Sequence, residues 1–397
     1  MTRLERFPPT LAAVQSRIGA LCLDDYARSR NALDGAVTGL SPYFTHGFLT
    51  LPEVPAELAG LDALHVQHKF VYELGWREYF RHVWRHKGDD IFVSLHEGLL
   101  PDRCYDRELP ADIREARTGV PVIDLAVRTL YATGYLHNHA RMWLASYVVH
   151  LRKIHWRAGA DWMVAHLLDG DLASNHLSWQ WVAGTASRKP YLFNAGNVAR
   201  FAPAPWHSPG SVVDTSYEAL DAIARSPEAI AVHSLGDGVT ESMLYQRPPD
   251  ASVFSIPDAD KVAGRDVWLV HPWSLRGPPR DLPPDTIIIC VCFAEFHDRW
   301  PWSAARWDFV VPRMQEIAAC SWIGDIDSLV KALSQARSVS AYAEPHIDTL
   351  LCKVADCIPS VPLFADVAQP CASFSQWWTR VTDDVVRVQD LPGAACL

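Results

Sequence analysis

The segment DGDLASNHLSWQW (169–181) carries the densest set of residues that could do chemistry. Asp169 and Asp171 flank a glycine, and Asp171 is suited to cap the helix that the next residues predict. Four further candidates follow on that helix: Asn175, Ser178, Trp179 and Trp181. Two carboxylates without a third oxygen-rich ligand make a weak metal site. A helix cap with core tryptophans and a polar cofactor held between helices both remain open.

The segment ELGWREYF (73–80) places Glu73, Trp76, Arg77 and Phe80 at i, i+3, i+4 and i+7, on one helix face. This stripe suits a flat polar ligand, because the indole offers a stacking surface and Glu73 can accept hydrogen bonds from ring N–H groups. The alternative is a half-buried helix with an internal Glu–Arg pair.

The segment GYLHNHARMW (134–143) repeats this arrangement, since Asn138, Arg141 and Met142 share one helix face. Arg141 is a candidate to neutralise Asp169 or Asp171, which follow later in the chain. His137 and His139 point to different sides of the helix and are therefore poor joint metal ligands.

The segment VTGLSPYFTHG (37–47) predicts a helix start, with Ser41 as the N-cap and Pro42 at the first helical position. Free backbone N–H groups at such a start suit an anion such as a phosphate. An ordinary helix cap without a ligand is the alternative.

The elements that position these residues fall into two halves. Residues 1–230 predict a helical domain, with helices over 66–87 and over 121–156, the latter interrupted near Gly134. Residues 231–265 predict a linker that is rich in Pro, Asp and Ser. From 266 to 397, strands over 267–271, 287–293, 320–324 and 338–343 alternate with helices over 305–319, 325–336 and 344–357. This alternation predicts a parallel α/β layer.

Composition narrows the class of protein. The chain has 397 residues, 16 of them Trp, and a net charge of −10. Residues 1–240 hold 23 Lys and Arg against 26 Asp and Glu, hence −3, so a DNA contact is expected there rather than in the later part, which holds −7. No run spans a bilayer and no signal-peptide core opens the chain, which predicts a cytoplasmic protein with no membrane partner. The nine cysteines are read as core thiols rather than disulfides or metal ligands.

These segments, taken in order, resemble the DNA photolyase/cryptochrome family. The motifs that carry the resemblance are YARSRN, LSPY, ELGWREYF, TGVPVIDLAVR, TGYLHNHARMWLAS, HWRAGADWM and DGDLASNHLSWQW. The resemblance implies an all-helical FAD-binding domain, with FAD in a bent form, followed by a Rossmann-like α/β domain. In the family, an α/β domain precedes the helical one. Three later segments of this chain are similar to that α/β domain: CSWIGDIDSLVKAL, SVSAYAEPHIDTLL and ASFSQWWTRV. The domain order here is therefore the reverse of the family's. The chain is therefore interpreted as a circular permutation.

The resemblance also implies roles for individual residues. The FAD-binding set is Tyr26, Thr38, Leu40, Ser41, Arg77, Asn138, Arg141, Asp169, Asp171 and Asn175. The catalytic set forms a pocket for a flipped-out cyclobutane pyrimidine dimer and consists of Glu73, Trp76, Asn138, Met142 and Trp181. The DNA-binding set consists of Arg30, Glu73, Trp76, Asn138 and Trp181. Trp179 and Trp156 match an electron-transfer chain whose distal position falls at Ile113, a residue that cannot serve.

The function implied is light-driven repair, in which excited reduced FAD donates an electron to the dimer, the dimer splits and the electron returns. The partner would be UV-damaged DNA, with no metal, and the protein is expected to be a monomer. A second, antenna chromophore of unidentified type would sit on the α/β domain. Two departures from the family pattern are Val37-Thr38-Gly39 and the shorter segment after Trp181. The altered segment after Trp181 and the acidic C-terminal half favour a cryptochrome-like photoreceptor, which is the alternative. A flavoprotein with unrelated redox chemistry is a third.

Overall fold

A computed structural model describes residues 6–58, 60–61, 63–231 and 237–394. The first half of the chain is helical, as predicted. Its helices are α1 (Leu11–Gly19), α2 (Leu23–Ser29), α3 (Ser41–Thr45), α4 (Glu53–Glu57), α5 (Lys69–Lys87), α6 (Ala111–Arg114), α7 (Pro121–Thr133), α8 (Asn138–Ser146), α9 (Trp156–His166), α10 (Leu172–Ala183), α11 (Ala195–Phe201) and α12 (Tyr217–Arg225). Within the described residues, none of the helices has the length and apolar character needed to cross a membrane.

Local residues explain where the central helices begin and end. Gly134, at φ +65°, ends α7, as the sequence predicts, because glycine adopts the left-handed conformation without strain. The chain restarts as α8 after His137, whose ring accepts the N–H of His139 at 3.1 Å. Asp171 caps α10 by accepting the N–H of Ser174 at 2.8 Å, which confirms the predicted N-cap.

The second half contains a five-stranded parallel sheet in the order β5–β3–β2–β6–β7. Its strands are β2 (Asp266–Val270), β3 (Ile287–Phe293), β5 (Ser321–Gly324), β6 (Ser338–Tyr342) and β7 (Asp356–Ile358). Two short strands, β1 (Leu244–Tyr245) and β4 (Trp302–Ser303), pair separately and antiparallel. The helices around them are α13 (Ala294–Arg299), α14 (Ala304–Ile317), α15 (Ile326–Leu333), α16 (Asp348–Leu351) and α17 (Phe374–Val381). The predicted parallel α/β layer is confirmed, and the order of strands reverses between β2 and β6, as in doubly wound folds.

The predicted helix over 344–357 is wrong. Only the four residues of α16 are helical, and the end of that segment forms β7, which pairs with β6 from Ser340 opposite Asp356. A run this short fits a helix or a strand equally well. The end of the segment forms a strand because the edge of β6 is free to pair with it. Cys290 and Cys292 are buried in β3 as predicted, whereas Cys352 is exposed beside Cys357, at 3.4 Å between sulfurs, and is no core thiol. Cys22 is exposed as well, and Cys396 lies outside the described residues.

The two halves pack closely against each other. Helix α17 covers α5, where Phe374 stacks on Trp76 with ring centroids 4.0 Å apart. Gly75 permits this approach, because a Cβ there would overlap the ring of Trp378. The core of the α/β half therefore continues into the helical half.

Glu78 of α5 makes this junction sensitive to pH. Its carboxylate accepts the backbone N–H groups of Leu363 at 2.6 Å and Phe364 at 3.1 Å, beyond β7. Burial raises the pKa of Glu78 to about 7, above its usual 4.5. The folded state then binds more protons than the unfolded state between these values, so the stability contributed by this group falls as the pH rises through that window.

We expect the urea midpoint of the wild-type chain to decrease from pH 5 to pH 7 more steeply than that of Glu78→Gln, whose side chain does not titrate. The exposed Glu97→Gln variant is the control and should keep the wild-type slope. Equal slopes for all three proteins would contradict a raised pKa at Glu78.

Candidate functional site

Two adjoining cavities open between the helices of the first half, with volumes of about 270 and 220 Å³. They are called here the inner and the outer chamber, respectively. Five residues line both chambers: Ser41, Glu73, Arg77, Tyr135 and Asn138. Because the chambers share these walls, one bent ligand can occupy both, and their joint size falls in the usual range for small-molecule sites of roughly 300–1,000 Å³.

Asp169 forms the polar corner of the inner chamber. Arg141 donates two hydrogen bonds to its carboxylate, at 2.7 and 2.9 Å, as the resemblance implied. The hydroxyl of Ser41 donates to the same carboxylate at 2.6 Å. Ser41 was predicted to be an N-cap, but the residue before α3 is Leu40, and the Ser41 side chain is engaged by Asp169 instead. The corner thus combines an ion pair with a hydroxyl at the edge of the cavity.

The predicted stripe on α5 is only partly a wall of the cavity. Glu73, Arg77 and Phe80 line the inner chamber. Arg30, which directly follows α2, pairs with Glu73 at 2.6 Å. Burial nevertheless raises the pKa of Glu73, an effect that Arg30 opposes. Glu73 therefore offers a hydrogen-bonding group in the wall that the two chambers share.

Helix α10 supplies the opposite wall. Ser174, Asn175, Ser178 and Trp179 line the inner chamber. The amide of Asn175 donates to the Ala160 carbonyl at 2.9 Å, which fixes the orientation of its side chain. Trp179 is 3% exposed and packs over Gly159 of α9, where a Cβ would overlap its ring.

Asn138 and Met142 stand at the entrance, at the start of α8. Both line the inner chamber, and the Asn138 amide lies 3.8 Å from the Met142 sulfur. The rings of His137 and His139 do not point to different sides, contrary to the prediction, because His137 lies before the helix and the ring centroids are 5.8 Å apart. They contact the backbone carbonyls of Arg30 and Asn31. Among the described residues no cluster of potential metal ligands is present.

Asp171 lines neither chamber, although it was predicted to bind the cofactor. Its buried carboxylate accepts a hydrogen bond from Arg81 at 2.7 Å and caps α10. Arg81 continues to Glu344 of the α/β half at 2.8 Å. The two arginines Arg81 and Arg77, the second at 3.9 Å, hold the pKa of Asp171 far below its usual range against the effect of burial. Asp171 therefore joins the two halves of the chain.

Three further predicted residues also lie outside the chamber walls. Trp76 stacks on Phe374, Trp181 is 40% exposed near Tyr191, and Leu40 is fully buried. Trp156 is buried and donates its indole N–H to Ser94 at 3.0 Å, while Ile113 is buried as well. The outer chamber does contain Tyr26, Arg30 and Thr38, as predicted.

The residues present suit FAD. The only hydrogen bond of Arg77 among the described residues goes to Thr45, so most of its five N–H donors are free for phosphate. The hydroxyls of Thr38 and Ser41 lie on the same outer wall. The inner chamber adds apolar surface, which a flat ring system requires, at Leu136, Ala145, Met163, Trp179 and Val182.

Comparison with known proteins agrees with this arrangement. Residues 70–204 match a family described as the FAD binding domain of DNA photolyase. A deoxyribodipyrimidine photo-lyase of Synechococcus sp. is 32% identical over 213 residues, covering 48% of this chain and 43% of that protein. A cryptochrome DASH of Gloeobacter violaceus is 30% identical over 272 residues, covering 65% of this chain and 53% of that protein. A solved cryptochrome structure from Synechocystis sp. is 28% identical, with a TM-score of 0.43, and the match covers 48% of this chain and 43% of that chain.

The site is thus that of a flavoprotein, and the cofactor predicted from the sequence, FAD, is confirmed by the family description. Residues 70–204 match the photolyase FAD-binding domain, and the chain is similar to photolyases and cryptochromes over part of its length. The chain spans about half the length of the curated relatives it matches.

Several residues of the site were not predicted from the sequence. Tyr135 lines both chambers, and the motif GYLHNHARMW that contains it was a sufficient signal. Thr45, Arg81 and Arg306 act through contacts with residues distant in the chain, for which the spacing of motifs offers no signal.

Proposed function

We propose that this chain binds FAD and uses blue light to split cyclobutane pyrimidine dimers in DNA. The observation that carries the proposal is the inner chamber, where Glu73, Asn138 and Met142 line the same cavity as the Asp169–Arg141 pair. A polar lesion and the cofactor can therefore share one cavity, each with its own set of hydrogen-bonding groups.

The proposed FAD-binding residues are those of the chamber walls. Arg77, Thr38 and Ser41 would bind the phosphates, while Asp169, Arg141 and Asn175 would orient the ring system. Bound reduced FAD supplies an electron when it is excited by blue light. The apolar residues Met163, Trp179 and Val182 would exclude water from that ring system.

A dimer inside a duplex has to leave the base stack before it can enter such a cavity, and a damaged pair costs less to extrude. Asn138, which is exposed at the entrance, and Glu73, which lies deeper, would accept and donate hydrogen bonds at the edge of the flipped bases. Arg30, paired with Glu73, would meet a DNA phosphate from the outer chamber.

The test measures how many thymine dimers in a UV-irradiated oligonucleotide are split back into two thymines. The protein carries fully reduced flavin, and the reaction is run under blue light and in the dark. We expect repair in light only. Glu73→Gln should lower the repair yield roughly tenfold, the value of one hydrogen bond to a charged group, and keep the flavin spectrum. No repair by the wild-type chain under these conditions would contradict the proposal.

A cryptochrome-like photoreceptor is the second candidate, and the packing of Trp76 favours it. Trp76 would stack on the lesion, yet it is covered by Phe374 of α17. A chain that binds FAD, changes its absorption in blue light and repairs no dimer would be assigned to this function.

We also propose that the α/β half is the family's preceding domain in permuted order, with the boundary in residues 231–265. A second chromophore on that half stays part of this proposal. Its test is whether the purified chain carries an absorbing molecule other than FAD.

A further inference from the structure

The turn that carries Asp169 is held from behind by the α/β half of the chain. This turn connects α9 to α10 over residues 167–171, and its Asp169 forms the polar corner of the inner chamber. Side chains that fix the turn therefore also fix the corner, although they touch no ligand.

Arg306 of α14 makes the most direct of these contacts. Its guanidinium donates to the Gly170 carbonyl at 2.7 Å and to the Val164 carbonyl at 3.3 Å. It lies over the ring of Trp302 at 4.0 Å from the centroid. Only 2% of Arg306 is exposed, so its cation lies in the protein core together with these contacts. A buried cation is costly unless its partners compensate for the lost hydration.

The surroundings of Arg306 supply part of that compensation, although its Nε is buried without a hydrogen-bond partner among the described residues. Burial lowers the pKa of Arg306 to about 9, an effect that the negative charges of Asp169 and Asp171 oppose, so the group stays charged at neutral pH. Gly170 leaves room for the guanidinium, because a Cβ there would lie 2.6 Å from Nη1. The same Cβ would lie 2.4 Å from the Val164 carbonyl oxygen, so the glycine between the two aspartates is required both by its own turn and by an arginine from the other half of the chain.

Two histidines hold the flanks of the same turn. The ring of His46 lies 2.9 Å from the Leu168 carbonyl and 2.6 Å from the Pro272 carbonyl, which follows β2. His346, which follows β6, accepts the N–H of Leu172 at 3.2 Å. The turn is therefore attached to the carboxyl ends of both strands at which the sheet order reverses.

We infer that Arg306 is a positioning residue of the FAD site, which holds Asp169 in place through the carbonyl groups of the 164–170 segment. The inference rests on the proposed binding of FAD but not on DNA repair. It makes the α/β half part of the FAD site.

The experiment compares Arg306→Met with Arg313→Met in the full chain. Methionine keeps the contact with Trp302 but donates no hydrogen bond. Arg313 lies on the same helix and also binds backbone carbonyls, of Leu275 and Arg276, but none of the turn. The measurements are the FAD dissociation constant, the fine structure of the blue absorption band of bound flavin, and the urea midpoint of the protein without FAD.

We expect Arg306→Met to weaken FAD binding about tenfold or more, the effect seen when groups that orient metal ligands from behind are removed. It should also blur the fine structure of the flavin band, which a loss of stability alone would not do. Arg313→Met should lower the urea midpoint and leave both flavin measurements unchanged. Arg306→Lys, which keeps the charge and one donor, should fall between wild type and Arg306→Met.

Equal FAD affinity and spectra for Arg306→Met and the wild-type chain would overturn the inference. If Arg306→Met does not fold, wild-type affinity and spectrum in Arg306→Lys would overturn it in the same way, and a weakened affinity would support it. A wild-type chain that binds no FAD would refute the proposed function together with this inference, whereas an unaffected Arg306→Met refutes the inference alone.

Discussion

Replacing Asp169 with asparagine is expected to weaken FAD binding about 100-fold. The carboxylate holds Arg141 through two hydrogen bonds and accepts a third from Ser41. Asparagine keeps the size of the side chain but leaves the Arg141 cation without its partner. Breaking a fully buried pair costs about 3–5 kcal/mol. Because 24% of the Arg141 side chain is exposed, we expect a smaller loss of unfolding free energy. This loss should be about 2–3 kcal/mol, the range for hydrogen bonds to charged groups.

The free energy of FAD binding should fall by a similar amount, because the corner that orients the ligand is removed. We expect about a 100-fold increase in the FAD dissociation constant, equivalent to about 2.7 kcal/mol. Asp112→Asn is the matched control, since Asp112 forms a comparable double contact with Arg152, at 2.6 and 3.1 Å, away from both chambers. The control should lose stability and keep FAD. Similar FAD affinities for the two variants would refute the role of Asp169.

Local features of the site could be predicted because neighbouring residues determine them. The end of α7 at Gly134 and the cap of α10 at Asp171 depend only on backbone conformation and a side chain within three residues. The pairing of Arg141 with Asp169 followed from the resemblance, which brings together helix α8 and the turn before α10.

Contacts between the halves of the chain could not be predicted in this way. In the sequence, Ser41 resembles a helix N-cap because it precedes a proline. Only the fold shows that its hydroxyl donates a hydrogen bond to Asp169. The residue that covers Trp76 is Phe374, almost at the other end of the chain. The strand β7 depends on the free edge of β6. In each case the deciding partner is remote in sequence, where residue spacing carries no information.

Replacing Trp179 with phenylalanine is expected to abolish photoreduction of bound FAD without loss of the cofactor. Trp179 is the only tryptophan among the residues that line either chamber. An indole is much more easily oxidised than a benzene ring, so phenylalanine fills the space but cannot supply the electron. The cost in unfolding free energy should be below about 1.5 kcal/mol, as for other nearly volume-conserving changes. The measurement is the rate at which the oxidised flavin band bleaches in blue light.

Two tryptophans of α9 separate electron transfer from packing. Trp156 precedes Gly159, over which Trp179 packs, by one helical turn, and it lines neither chamber. Trp156→Phe should therefore slow bleaching and leave the flavin spectrum unchanged. Trp162 is also buried, but it donates its N–H to Tyr131 of α7 and lines neither chamber, so Trp162→Phe should bleach at the wild-type rate. Unchanged bleaching in Trp179→Phe would exclude this path, and the electron would then have to reach the flavin from another side of the inner chamber.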